Sequence, residues 1–158
     1  MATRMIVKNG DPQLRKHCHE VKDFNPRLHM LLDDMRQTLA ESNGVGLAAP
    51  QVGILKRAVV IDCGDGLVEL VNPEILETSG EQGGYEGCLS FPGESGYVVR
   101  PNHVRVRAMN RFGEECEYEG EGLFARAILH ETDHLNGLVY KRLVTEAPEG
   151  YDENEEDE

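Results

Sequence analysis

The sequence predicts an α+β domain: short, mostly antiparallel β-strands around a central helix with a His-Glu-x-x-His pattern, and an amphipathic helix N-terminal to them. Three observations lead there. One stretch carries apolar residues at helical spacing behind a clear start signal. Several β-rich pieces are bounded by Gly, Pro or Asn, and a second helical stretch ends on Asn136-Gly137. In chain order, Gly10-Asp11-Pro12 marks an early turn. Asn25 and Pro26 open the first helix, because Asn accepts backbone N–H bonds and the fixed φ of proline suits the first helical position. Leu28, Leu31, Leu32, Met35 and Leu39 then recur on one face, and Asn43-Gly44 stops the helix near Ser42. Residues 57–62, 67–71 and 104–109 read as strands. The second helix is expected at about Leu123 to Leu135. No repeat or Pro/Ser linker divides the chain. It reads as one domain, residues 1–145, followed by an acidic tail, 146–158, too poor in apolar residues to order.

Composition narrows the function. Sixteen Lys and Arg against twenty-nine Asp and Glu leave a net charge of −13. Eight of those acids lie in residues 145–158, where no base stands, so the remainder carries −5. Direct nucleic-acid binding is excluded, since phosphate contacts need clustered Lys and Arg. No run approaches the ~20 apolar residues of a membrane span, and residues 1–10 lack the apolar run of a secretory signal. Cys18, Cys63, Cys88 and Cys116 show no paired spacing, so reduced thiols in a cytoplasmic setting are expected. The mild charge of the body and the lack of an obvious apolar patch favour a monomer.

The strongest motif is His130-Glu131-Thr132-Asp133-His134. Positions i and i+4 share a helix face, so both imidazoles can reach one metal ion, with Glu131 beside them to hold or deprotonate a water. At this composition the pattern arises by chance roughly 0.03 times, which argues against two solvated surface histidines. A catalytic site needs a third ligand and an open position. No His follows the motif, so the ligand is expected upstream, and a thiolate is a strong candidate; composition does not choose among the four cysteines. Cys88 stands in the Gly-rich Glu86-Gly87-Cys88-Leu89-Ser90. A third segment, Gly44-Val45-Gly46-Leu47-Ala48-Ala49-Pro50-Gln51, is small and apolar. It reads either as a buried turn entering a strand or as a surface where a peptide backbone lies, with Gln51 offering an amide N–H.

In this order the three segments resemble those of the peptide deformylase family, and the likeness runs from Gly10-Asp11-Pro12-Gln13-Leu14-Arg15 to about Val144. The resemblance implies removal of the N-formyl group from the formyl-methionine of new polypeptides, releasing formate. It implies Cys88, His130 and His134 as ligands of one divalent ion, Fe2+ in vivo with Zn2+, Ni2+ or Co2+ able to substitute. A water on that ion would attack the formyl carbon, with Glu131 as general acid/base. Gln51 and the backbone N–H of Leu89 would stabilise the oxyanion, and Val45 and Gly46 would contact the substrate backbone. N-formylmethionyl nascent peptides are the implied partners and the bacterial cytoplasm the implied location.

Further expectations attach to neighbouring residues. Glu86 needs a cationic partner if buried, and Arg100 is the candidate, since relatives pair these positions. Asp133 either orients a ligand or a strand, or is solvated. Arg126, one turn before His130, stands where an apolar residue of the methionine pocket is expected; it narrows that pocket or snorkels out of it. The acidic tail replaces a C-terminal helix found in some relatives and would be repelled by RNA, so ribosome association is expected to be weak. Two rival readings are a general peptidase, opposed by the missing downstream ligand, and a non-catalytic relative, opposed by the intact set of motif residues.

Overall fold

The structure is a computed structural model that describes residues 2–151. Its elements are a 3-10 turn (Pro12–Arg15), α1 (Pro26–Ser42), β1 (Gly46–Ala48), a 3-10 turn (Ala49–Val52), β2 (Ala58–Asp62), β3 (Leu67–Ser79), β4 (Gln82–Cys88), β5 (Phe91–Arg100), β6 (His103–Met109), β7 (Glu115–Glu121), α2 (Gly122–Leu135), a 3-10 turn (Tyr140–Leu143) and β8 (Val144–Thr145). All pairings between these strands are antiparallel, in a five-stranded sheet ordered β1-β2-β3-β6-β7 and a three-stranded sheet ordered β4-β5-β8. This is an α+β fold. No helix among the described residues is long and apolar enough to cross a membrane.

Asn25 caps α1 through its side-chain oxygen, which accepts from the Leu28 N–H at 3.0 Å, and Asn43 ends it in the left-handed conformation at φ 55°. The buried face, Leu28, Leu31, Leu32, Met35 and Leu39, packs on Leu47, Ala58, Val60 and Val71. The alternate residues of β2, Val59 and Ile61, pack instead with Ala125, Ile128 and Leu135 of α2. Successive side chains of a strand point to opposite faces, so α1 and α2 cover opposite sides of the larger sheet. That is why residues 58–61 are apolar throughout rather than alternating.

Not every strand is short. β3 runs thirteen residues, through the Asn72-Pro73 pair at which the sequence predicts its end. The strand continues because the pair forms a bulge: the register with β6 shifts between Val71 and Glu74, and Asn72 takes φ 51°. Proline is tolerated at such a break in the ladder. The Asn72 amide is held by Val21, accepting from its N–H at 2.8 Å and donating to its carbonyl at 2.9 Å.

The smaller sheet lies across α2 from the larger one. Phe91 and Val98 of β5 pack with Tyr140, which follows the helix. β8 then pairs with β5 through Tyr97 and Val98, and the Tyr151 ring sits 5.0 Å from Tyr97 and 5.7 Å from Tyr85. Of the expected acidic tail, residues 152–158 lie outside the described residues.

Candidate metal centre and active site

His130 and His134 stand one turn apart on the side of α2 that faces the smaller sheet, with ring centroids 5.1 Å apart. Cys88 ends β4, just past a register shift between Glu86 and Cys88 that re-aims the strand. Its Sγ lies 3.3 Å from Nε2 of His134. One donor atom from each of Cys88, His130 and His134 falls within 4.8 Å of the others. Nδ1 of His130 is engaged by Glu86 Oε1 at 2.8 Å, so Nε2 is the nitrogen it can offer to an ion, and its ring is stacked on Tyr140. Nδ1 of His134 is buried, with no hydrogen-bond partner among the described residues. A thiol and two imidazoles converging in a buried corner fit a borderline-soft divalent cation.

Electrostatics agree with that fit. Burial works against a charge on His130, but Glu131, Cys88 and Glu86 outweigh it and raise its pKa to about 10. His134 is lowered to about 3 by burial and by the positive charges of His130 and Arg100. The site therefore favours one positive charge among these donors, and an ion bound there competes with the His130 proton. Burial raises the Glu131 carboxyl to about 7, and its Oε1 is buried with no hydrogen-bond partner among the described residues.

The segment around Gln51 closes the opposite wall. Oε1 of Gln51 accepts from the Ala48 N–H at 2.9 Å, which turns Nε2 toward Cys88 Sγ at 3.4 Å and Ser90 Oγ at 3.2 Å. The amide orientation is thus set by the backbone and not by the site itself. Val45, Gly46, Gln51, Leu89, His130 and Glu131 all line one cavity of about 610 Å³. Leu89 also packs against Gly44, and Lys8 donates to its carbonyl at 3.5 Å.

Arg100 forks onto Glu86, with Nε at 2.7 Å from Oε2 and Nη2 at 2.9 Å from Oε1. Burial opposes ionisation of Glu86, yet these bonds and the one from His130 hold its carboxyl down at about 2. Asp133 is not simply solvated: it accepts from Arg100 at 3.0 Å and Arg142 at 2.9 Å. Arg126 does not snorkel. It is 5% exposed and its Nη1 donates to Glu86 Oε2 at 2.8 Å. Neither this role nor the Tyr140 stack is foreseen by the sequence reading, although Arg126 at i−4 from His130 shares its helix face.

Residues 3–148 match the family described as polypeptide deformylase. The chain belongs to this family. It is 56% identical over 144 residues to the peptide deformylase of Agathobacter rectalis, covering 91% of each chain. A crystal structure of peptide deformylase from Thermotoga maritima superposes with a TM-score of 0.90 at 41% identity, over 92% of this chain and all of that one. The deformylase of Synechococcus elongatus, solved in complex with actinonin, superposes at 0.86 and 38% identity, over 89% of this chain and 78% of that one. Deformylases are metal-dependent hydrolases that remove the N-formyl group from nascent peptides, and that is the activity of this chain.

Proposed function

We propose that Cys88, His130 and His134 hold one divalent ion, and that Glu131, Gln51 and Leu89 carry the hydrolysis beside it. The observation that carries this reading is the convergence of three donor atoms within 4.8 Å, two of whose residues, Cys88 and His130, line the cavity that Glu131 and Gln51 also line. A bound divalent ion supplies Lewis-acid polarisation and makes water more acidic. Fe2+ is the ion proposed for the native state, with Zn2+, Ni2+ or Co2+ able to take the same donors.

Each protein group then has one task. Glu131, with a carboxyl near neutrality, takes a proton from the attacking water and returns it to the departing amine nitrogen. Nε2 of Gln51 and the Leu89 N–H donate to the oxygen that gains charge as the formyl carbon becomes tetrahedral. Val45 and Gly46 contact the substrate backbone. β1 supports this: among the described residues it pairs with β2 alone, an edge strand to which an extended peptide can add. The protein works as a cytoplasmic monomer built on residues 1–145, with weak ribosome association and no direct contact to nucleic acid.

The test is an anaerobic assay on a formyl-Met peptide with the ferrous protein. Amine release that vanishes in Glu131→Gln, with the metal still bound, is the expected result. Release that persists in that variant, or a protein that takes up no metal, overturns the reading.

A further inference from the structure

The carboxylate of Glu86 has no acceptor capacity left. Oε1 accepts from His130 Nδ1 at 2.8 Å and Arg100 Nη2 at 2.9 Å, while Oε2 accepts from Arg100 Nε at 2.7 Å and Arg126 Nη1 at 2.8 Å. A carboxylate offers about four lone-pair positions, so each is used. Two of these donors come from α2, one turn apart, and Arg100 comes from β5. Arg100 also serves Asp133 through Nη1 at 3.0 Å, which divides its hold. The Arg126 Nη1 group is seated by the carbonyls of Gly84 at 3.5 Å and Val98 at 3.3 Å, one on each strand of the β4–β5 pair.

We propose that Arg126 is a positioning residue for His130. By holding Oε2 of Glu86 from the same helix, it keeps Oε1 on His130 Nδ1 and so aims Nε2 at the corner shared with Cys88 and His134. Arg100 sets the plane of the carboxylate through its two parallel bonds. Arg126 sets the position of that plane along α2, because both it and His130 move with the helix. Losing it leaves Oε2 held by Arg100 Nε alone, and because Arg100 is shared with Asp133 the carboxylate is held less firmly against His130. This inference rests on the reading that Cys88, His130 and His134 are the metal ligands. Groups that orient a ligating histidine typically change metal affinity by about 10- to 100-fold when removed.

The experiment starts from the full chain loaded with Co2+. A competing chelator is titrated in, and loss of the thiolate–cobalt absorption gives the dissociation constant. Arg126→Met is expected to weaken Co2+ binding by about 10- to 100-fold and to shift the ligand-field bands, with Arg126→Lys recovering most of both. In a Glu86→Gln background, Arg126→Met is expected to add little, because the group it acts through is altered. A purely structural Arg126 would lower the melting temperature while leaving the dissociation constant and the bands unchanged, which overturns the proposal. Full additivity of the two substitutions overturns it as well. If Arg126→Met does not fold, Arg126→Gln takes its place in the cycle. Cys88→Ala that binds Co2+ as tightly as the wild type would refute the ligand assignment itself, and this proposal with it.

Discussion

Gly46 and Glu131 approach so closely that a methyl group does not fit between them: a Cβ on Gly46 would lie 2.7 Å from Oε2 of Glu131. The obstructed atom ends a flexible side chain, so Gly46→Ala is expected to fold and to bind metal. It displaces the carboxylate, and misplacement of about 1 Å can cost about 100-fold in rate. Measuring kcat/KM on a formyl-Met peptide beside metal content separates this from unfolding. A variant with unchanged kcat/KM would show that the Glu131 position is not critical.

Glu131 must be ionised to accept a proton. Its carboxyl is raised to about 7 by burial when no cation is beside it, so the acid limb of the activity profile is expected to report its ionisation. Glu131→Gln should lose about 100- to 10,000-fold and flatten the acid limb of the profile. A bound cation nearby moves that limb to lower pH, so the limb of the zinc or iron form should lie below 7.

Gln51 separates its two ends, with Oε1 on Ala48 and Nε2 toward Cys88 and Ser90. Gln51→Glu keeps an acceptor for the Ala48 N–H and removes the donor. The expected loss is about 100- to 1,000-fold in kcat, with a smaller change in melting temperature than Gln51→Leu, which removes both ends.

The Glu86 cluster should dominate acid stability. The folded carboxyl titrates near 2 against a reference of 4.5, with its side chain 3% exposed. Its contribution is fully present above about 4.5 and is lost as pH falls toward 2, because the unfolded chain binds the proton first. The depression is worth about 3 kcal/mol at neutral pH. Urea denaturation at pH 6 and at pH 3 should show that slope in the wild type and less of it in Glu86→Gln. Arg100→Met leaves a buried carboxylate short of its fork and should cost about 3–5 kcal/mol.

Some of this was legible in the residue order and some was not. Asn25-Pro26 and Asn43 punctuate α1 with local chemistry, which a linear reading detects. The smaller sheet escapes it because β4, with glycines at 83, 84 and 87, lacks apolar alternation, and its strand pairing rests on contacts such as Tyr97 filling the space over Gly83. β7 hides behind its alternate glutamates, since the inward residues Cys116, Tyr118 and Gly120 are weakly apolar. At the site, the spacing of His130 and His134 belongs to one helix and is visible at once. Cys88 is one cysteine among four until β4 is laid against α2. The role of Arg126 depends on the same long-range contact, and no local pattern encodes it.

β2 has no solvent face over residues 58–61, and its two covers leave the ribosome at different times. α1 precedes it, so one side can be covered as soon as the strand emerges. α2 begins about sixty residues after β2 ends, which at about 5–20 residues per second leaves the other side open for several seconds. The helix that carries His130, Glu131 and His134 is therefore also the last large piece of the core to be synthesised. A chain arrested before Gly122 presents an uncovered, β-prone apolar segment, the kind of surface that chaperones bind and that aggregates.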